Sequence, residues 1–378
     1  MTGTVLLAAG GTGGHVFPAQ ALARELAARG RDLALVTDAR GADFGGAVET
    51  VHTVAAASVA GRGALGRVRA LATLGVGVMQ ARRLLRRLAP AGVVGFGGYA
   101  SAPAVYAATW LGMPTVIHEQ NAVLGRANRL LAPRVAAIAT GFAETAGLAP
   151  ADRDKLVFTG NPVRPEVVAI RDAPYTPPEA DGPLHILVTG GSQGAAVMAR
   201  VVPAALAALP EATRRRLRVV QQCRADDLAP VRAAYAAANI AAELSPFLDD
   251  LPARLAAAHL VIARAGASTV AELTVAGRPA LLVPYPHATD DHQTANARAL
   301  SAAGGGWLMP EPRFTSADLA RRIAALTPPA LSDAAAKARA LGMPDAAARL
   351  ADVVERIMPV GGVRRTYFGG PDLRGIAA

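Results

Sequence analysis

Thr4-Val5-Leu6-Leu7-Ala8-Ala9-Gly10-Gly11-Thr12-Gly13-Gly14-His15 is an apolar run that empties into a glycine-rich loop. A helix-like segment, Pro18–Arg29, follows it. Glycines let backbone N–H groups approach an anion, and the N-terminus of the next helix adds a favourable dipole. The spacing is not G-x-G-x-x-G. Asp38 stands about where a ribose-binding acid would, but without the fingerprint it gives weak support for a nicotinamide enzyme. The same design returns at His185-Ile186-Leu187-Val188-Thr189-Gly190-Gly191-Ser192-Gln193-Gly194-Ala195. With no Lys and no Walker spacing, this second loop is a diphosphate cradle rather than a nucleotide-hydrolysing P-loop. Two copies of strand, glycine loop and helix predict two doubly wound α/β halves.

Outward from these stretches the rhythm continues. Asp32–Thr37, Val93–Phe96, Thr115–His118, Val135–Ala139 and Leu156–Thr159 read as strands of the first half. Arg218–Gln221, Leu260–Ala263 and Ala280–Val283 read as strands of the second. Strands alternating with helical stretches predict parallel sheets covered on both faces. The rhythm breaks in the proline-rich Asn161–Pro183. The expected organisation is a domain over 1–163, a linker over 164–183, a domain over 184–345, a helix over 346–358 and a flexible tail over 359–378. Ligands of such sheets bind outside the carboxyl ends of the strands, so two facing domains would enclose a cleft.

The 378 residues suit two domains, and 52% apolar with 18% charged residues excludes a disordered chain. No uninterrupted apolar run is long enough to span a bilayer, and Met1–Ala9 has neither the basic region nor the cleavage site of a signal peptide. The single Cys223 excludes a disulfide framework and a cysteine zinc site. A cytoplasmic enzyme is the default expectation. Net charge is +10, carried almost wholly by Arg, part of which reflects a coding bias. Its distribution says more: no acid lies between Glu49 and Glu119, where Arg62, Arg67, Arg69, Arg82, Arg83, Arg86 and Arg87 fall. Such a one-signed stretch attracts phosphates.

Several polar clusters sit at expected strand ends. His15 follows the first loop, and its near-neutral pKa suits a general base as well as a surface or capping role. Gly97-Gly98-Tyr99-Ala100-Ser101-Ala102-Pro103 offers a second loop for a phosphate or sugar, or simply a helix capped by Ser101. His118-Glu119-Gln120-Asn121 would make poor core and reads as a binding segment. In Arg264-Ala265-Gly266-Ala267-Ser268-Thr269-Val270-Ala271-Glu272, Glu272 would accept two ribose hydroxyls or close a capping box with Ser268 or Thr269. Pro284–Asn296 mixes donors and acceptors as a hydroxyl-rich ligand requires. Its His287, Asp290 and His292 match no standard zinc spacing. Asp152-Arg153-Asp154 has the D-x-D form, but its charged surroundings favour a solvated turn.

Taken in order, Gly11–Pro18, His118–Asn121, Gly160-Asn161-Pro162-Val163-Arg164, Gly190–Ala195 and Arg264–Glu272 resemble the signatures of the MurG family. These are bacterial glycosyltransferases of peptidoglycan synthesis, and the likeness runs to about Met358. The resemblance implies the GT-B architecture: two Rossmann-like domains around a central cleft. It implies inverting transfer of N-acetylglucosamine from UDP-GlcNAc to the C4 hydroxyl of a lipid-linked muramoyl-pentapeptide, with no cofactor and no metal. Carried over by motif, His15 is the expected base and Glu119 its assistant. Thr12, Gly13, Gly14, Tyr99 and His118 are expected at substrate, with Asn121 and Arg164 reaching the donor. Ser192 and Gln193 would sit near the diphosphate, and Leu248 would meet the uracil through its backbone. Arg264, Gly266, Ala267, Ser268 and Thr269 would line the nucleotide, and Glu272 would hold the ribose. His292, Gln293 and Asn296 would face the sugar. His292 departs from the Gln-Gln that this segment often carries.

A lipid acceptor implies a peripheral enzyme at the cytoplasmic face of the inner membrane. Leu71, Leu74, Val78, Ala81, Leu85 and Leu88 recur at helical spacing beside Arg82, Arg83, Arg86 and Arg87. This reads as a basic amphipathic segment, interrupted at Gly75 and Gly77, or as a core-facing helix with a solvated Arg face. Two rival functions differ in what they need. A UDP-GlcNAc 2-epimerase needs carboxylates at the first domain's strand ends, where Glu119 is the only clear one, which counts against that reading. A nucleic-acid binder would interleave aromatics with its Arg residues, and aromatics are only 4%.

Overall fold

The computed structural model describes residues 3–11, 13–41, 44, 46–58, 63–191 and 194–358. The chain forms two compact units; the first runs to Arg164 and takes the chain up again at Asp345. Among the described residues its sheet has seven strands: β1 (Val5–Ala8), β2 (Leu33–Thr37), β3 (Thr50–Thr53), β4 (Gly92–Gly95), β5 (Thr115–Glu119), β6 (Ala137–Thr140) and β7 (Leu156–Phe158). All pair in parallel, in the order β3-β2-β1-β4-β5-β6-β7. Helices α1 (Gly13–Ala28), α2 (Ala64–Leu88), α3 (Gly98–Trp110) and α4 (Arg126–Leu131) cover it.

The pleat explains why β1 is apolar throughout. Val5 and Leu7 join the cluster that holds Leu22 and Leu26 of α1, while Leu6 and Ala8 join the one that holds Leu85 of α2 and Val105 of α3. A parallel strand covered on both faces has no solvent side on which to place a polar residue. Helix α2 runs without interruption from Ala64 to Leu88, against the expected break at its glycines. A Cβ at Gly77 would lie 1.9 Å from the carbonyl oxygen of Ala55, so glycine there permits close approach of another backbone.

The second unit spans Pro165–Pro344. Its strands are β8 (Leu184–Thr189), β9 (Leu217–Gln222), β10 (Ala241–Ser245), β11 (Leu260–Ala263), β12 (Ala280–Leu282) and β13 (Gly306–Leu308). They pair in parallel in the order β10-β9-β8-β11-β12-β13. Helices α5 (Pro165–Ala169), α6 (Ala196–Ala207), α7 (Glu211–Arg216), α8 (Leu228–Ala237), α9 (Leu251–Ala257), α10 (Ala267–Ala276), α11 (His292–Ala302), α12 (Ser316–Ala324) and α13 (Pro328–Leu341) complete it. The proline-rich segment expected as a linker is tied into this unit. Arg171 donates to the carbonyls of Val275 and Arg339, and the Tyr175 hydroxyl donates to that of His259.

The last helix, α14 (Ala346–Ile357), packs on the first unit. Leu350, Val353, Val354 and Ile357 are fully buried in the cluster shared with α1. Arg29 bonds Asp352 and Glu355, and Arg31 bonds Glu355. Residues 359–378, expected as a tail, lie outside the described residues.

Candidate active site

Both sheets reverse direction of growth beside their first strand, and each glycine loop stands at that point. In the first unit the loops after β1 and β4 leave from neighbouring strands; in the second the loops after β8 and β11 do. A crevice opens where such loops diverge to opposite faces of a sheet. The sequence motifs therefore fall into two groups, one per unit.

In the first unit, α1 begins at Gly13, which places His15 in its first turn. The imidazole lies against the glycine pair after β4: a Cβ on Gly98 would stand 3.3 Å from His15 Nε2. His15 Nδ1 meets Gln120 Oε1 at 3.0 Å. His118 is buried at the end of β5; its Nε2 meets the carbonyl of Gly160 at 3.2 Å and its Nδ1 meets the Gln120 amide nitrogen at 3.1 Å. Glu119 is 2% exposed. Its carboxylate accepts from the backbone N–H of Asn121 and Gly125 and from the side chains of Asn121 and Asn128. Tyr99, in the first turn of α3, and Asn121 are half-buried. The Arg164 guanidinium stacks 5.3 Å from the ring of Phe17 on α1.

Burial pushes His118 down to about 4, with the charge of His15 lowering it further and the Gly160 hydrogen bond opposing. The sign follows. Below its ordinary pKa of about 6.5, the unfolded chain takes up a proton that the native ring refuses. Stability is therefore full above about pH 6.5 and falls as pH drops towards about 4, by about 3 kcal/mol in all. Denaturant unfolding of wild type and His118→Phe at about pH 7 and about pH 4.5 tests this. The variant is expected to lose distinctly less stability across the interval; parallel losses would remove His118 as the cause.

In the second unit, α6 starts at Ala196, just beyond the Gly190–Ala195 loop. Helix α10 starts at Ala267 with Gly266 as its N-cap and no side-chain cap. The capping-box alternative for Ser268, Thr269 and Glu272 is thereby removed, since Glu272 lies in the second turn. The Ala265 peptide is clamped from α11: Gln293 Oε1 accepts its N–H, and Asn296 Nδ2 donates to its carbonyl. Gln293 Oε1 also accepts from the Tyr285 N–H, so one amide ties the loops after β11 and β12 together. Exposed rings of Phe247 and Tyr285 stand beyond β10 and β12, a feature that the sequence reading did not single out.

Glycosyltransferase family 28 N-terminal and C-terminal domain models match residues 5–140 and 185–357. A Rhodospirillum centenum protein named UDP-N-acetylglucosamine–N-acetylmuramyl-(pentapeptide) pyrophosphoryl-undecaprenol N-acetylglucosamine transferase is 60% identical, over 96% of each chain. The crystal structure of Acinetobacter baumannii MurG superposes with a TM-score of 0.76 at 30% identity, covering 93% of this chain and 99% of that one. The chain belongs to the MurG family. Its fold is GT-B, and that fold is shared more widely. A Listeria monocytogenes protein described as a UDP-N-acetylglucosamine 2-epimerase reaches a TM-score of 0.67 at 15% identity, covering 94% of this chain and 96% of that one.

The MurG resemblance assigned substrate contacts that the structure sorts into three groups. His15, Gly13, Gly14, Tyr99, Asn121 and Arg164 stand partly exposed in the first unit, as do Gly266, Ser268, Thr269, His292 and Gln293 in the second. Glu272 and Ala267, on α10, and Leu248, just before α9, are buried. Three others are committed inward. His118 and Asn296 are 0% exposed and hydrogen-bond neighbouring loops. Arg264 is spent on the carbonyls of Val283 and Pro284 and on Glu311 at 2.6 Å. Ser101 also departs from its expected capping role: Gly97 is the N-cap of α3, and the Ser101 hydroxyl donates back to its carbonyl. Thr12, Ser192 and Gln193 lie outside the described residues. In the D-x-D segment Asp152 is buried and paired with Lys155. Among the described residues, no three His, Cys, Asp or Glu side chains are placed to hold a metal.

Proposed function

We propose that this chain transfers N-acetylglucosamine from UDP-GlcNAc to the C4 hydroxyl of undecaprenyl-diphospho-N-acetylmuramoyl-pentapeptide, converting lipid I to lipid II. The observation that carries this reading is 60% identity, over 96% of both chains, with a transferase of that name. The donor belongs to the second unit, where Gly190–Ala195 opens α6 and Gly266–Thr269 opens α10. The base belongs to the first, where His15 keeps Nε2 without a partner among the described residues.

The chemistry is a single in-line displacement. The acceptor C4 oxygen attacks the anomeric carbon, its proton passes to His15 Nε2, and the C1–O bond to UDP breaks with inversion from α to β. Charge accumulates on the leaving diphosphate. Loop amides and the N-terminus of α6 oppose that charge. Glu119, saturated by four N–H donors, shapes the 120–128 loop and is a positioning residue rather than a second base.

The test is transfer of radiolabelled GlcNAc to the lipid-linked acceptor, with EDTA and again with Mg²⁺. A labelled lipid with a β-linkage and acceptor-dependent UDP release is expected. Release of ManNAc without acceptor would favour the epimerase reading instead.

The acceptor's lipid requires a membrane-facing surface, and α2 supplies one. No helix among the described residues is long and apolar enough to cross a membrane. Leu65, Val68, Leu71, Val76 and Met79 are exposed along α2, with Tyr106 and Trp110 on the adjacent α3. Arg82 stacks on Trp110 at 4.6 Å. Ala81 and Leu85, expected in this apolar stripe, face the core, so the exposed surface starts further towards the N-terminus of the helix. Apolar insertion and Arg attraction to anionic lipid, about 1 kcal/mol per residue, act together. A Leu65→Ser, Val68→Ser, Leu71→Ser variant is expected to bind anionic vesicles at least about 10-fold more weakly. UDP affinity should be unchanged. Wild-type vesicle binding by this variant would relocate the surface.

A further inference from the structure

We infer that Gln120 is a positioning residue that fixes His15 in the one neutral tautomer able to act as a base. The inference rests on the reading of His15 as base, and its evidence is an unambiguous amide. At 1% exposed, Gln120 has its Nε2 at 3.1 Å from the carbonyl oxygens of Phe96 and His118 and 3.1 Å from His118 Nδ1. Carbonyl oxygens only accept, so the NH₂ end of the amide must face them. The opposite end, facing His15 Nδ1 at 3.0 Å, is therefore oxygen. An amide oxygen also only accepts. His15 Nδ1 must carry the proton, and the lone pair is left on Nε2, the atom beside Gly98.

The same wiring fixes His118. Its Nδ1 accepts from the amide, so its proton is on Nε2 and goes to the Gly160 carbonyl. Groups from β4, β5 and the loop after β7 thus converge through one buried side chain on the orientation of His15. Among the described residues, the charged group that acts on His118 in this relay is His15. The partner of His15 is neutral, not a carboxylate. Losing that partner should let the ring turn and change tautomer.

The first measurement needs no variant: ¹⁵N-histidine spectra of the full-length wild-type protein at a pH where His15 is neutral. His15 is expected as the Nδ1–H form; an Nε2–H form overturns the inference. In Gln120→Leu the spectrum should move towards the Nε2–H form. The variant's kcat is expected to fall about 10–100-fold, with both KM values within about 3-fold. In a His15→Ala background, adding Gln120→Leu should cost no further kcat, because the amide acts only through the imidazole. Additive losses, or an unmoved tautomer, overturn it in favour of a purely structural role. Should His15→Ala keep its turnover, the base reading itself fails and takes the catalytic part of this inference with it. The spectra would still report the tautomer independently.

Discussion

His15→Ala lowers kcat by about 10²–10⁴-fold, the range over which a positioned general base acts, and leaves UDP-GlcNAc affinity within about 2-fold. The first expectation follows from Nε2, the ring nitrogen that the Gln120 contact leaves as the acceptor. The second follows from the division of labour, since the glycine loop at Gly190 and the start of α10 lie in the other unit. Steady-state kinetics with the lipid acceptor, paired with calorimetric titration of UDP-GlcNAc, measures both. A variant that turned over at near wild-type rate would remove the base from His15. The role would not pass to Glu119. Its two oxygens already receive four N–H groups, and protonating them would release the Asn121–Asn128 loop along with the proton.

The inner strands were legible because their position leaves them no choice. β1, β4, β5, β8, β11 and β12 are covered on both faces and read as continuous apolar runs. The edge strands β3 and β10 and the short β13 were not. Thr50-Val51-His52-Thr53 lies largely in solvent, so burial imposed no pattern on it. Helix starts were misplaced for a local reason. Pro18 and Pro103 suggest a first turn, yet α1 and α3 each begin five residues earlier, at Gly13 and Gly98. That earlier turn is what carries His15 and Tyr99. Glycine has low helix propensity, and the missing proline N–H masks the turn before it.

The polar clusters at the strand ends could be read from the chain; the partners of their side chains could not. Gln293 and Asn296 look alike in sequence, three residues apart on one helix. In the structure both clamp Ala265, but one remains half-exposed and the other is sealed. Gln120 passed as one polar residue among four. Its role depends on contacts with residues 24 and 105 positions away, which no local pattern encodes. Chemistry at these sites is set by which end of an amide faces which partner, and that is a tertiary fact.

Gly190→Ala is expected to weaken UDP-GlcNAc binding by at least about 100-fold, the scale on which losing preorganised donors to a charged group acts. A Cβ built on Gly190 lies 2.3 Å from the backbone nitrogen of Ala195, 2.5 Å from the carbonyl carbon of Gly194 and 2.8 Å from its Cα. Each obstacle is backbone, and each belongs to the loop itself, so no side chain can swing aside. The loop must open, and the peptides that open are the ones leading into α6. Amides aimed at a diphosphate lose most of their value when displaced by about an ångström, because the alignment is what replaces water. The strand beneath should hold: Thr189 keeps its hydrogen bond to Gln222, and Ile186 and Val188 stay in the core. Loss of donor binding is therefore expected in a protein whose second unit remains folded. Calorimetry with UDP-GlcNAc, alongside the thermal unfolding of the same sample, separates the two. Wild-type affinity in the variant would mean that this loop does not cradle the diphosphate, and the donor's anionic group would have to be held elsewhere in the unit.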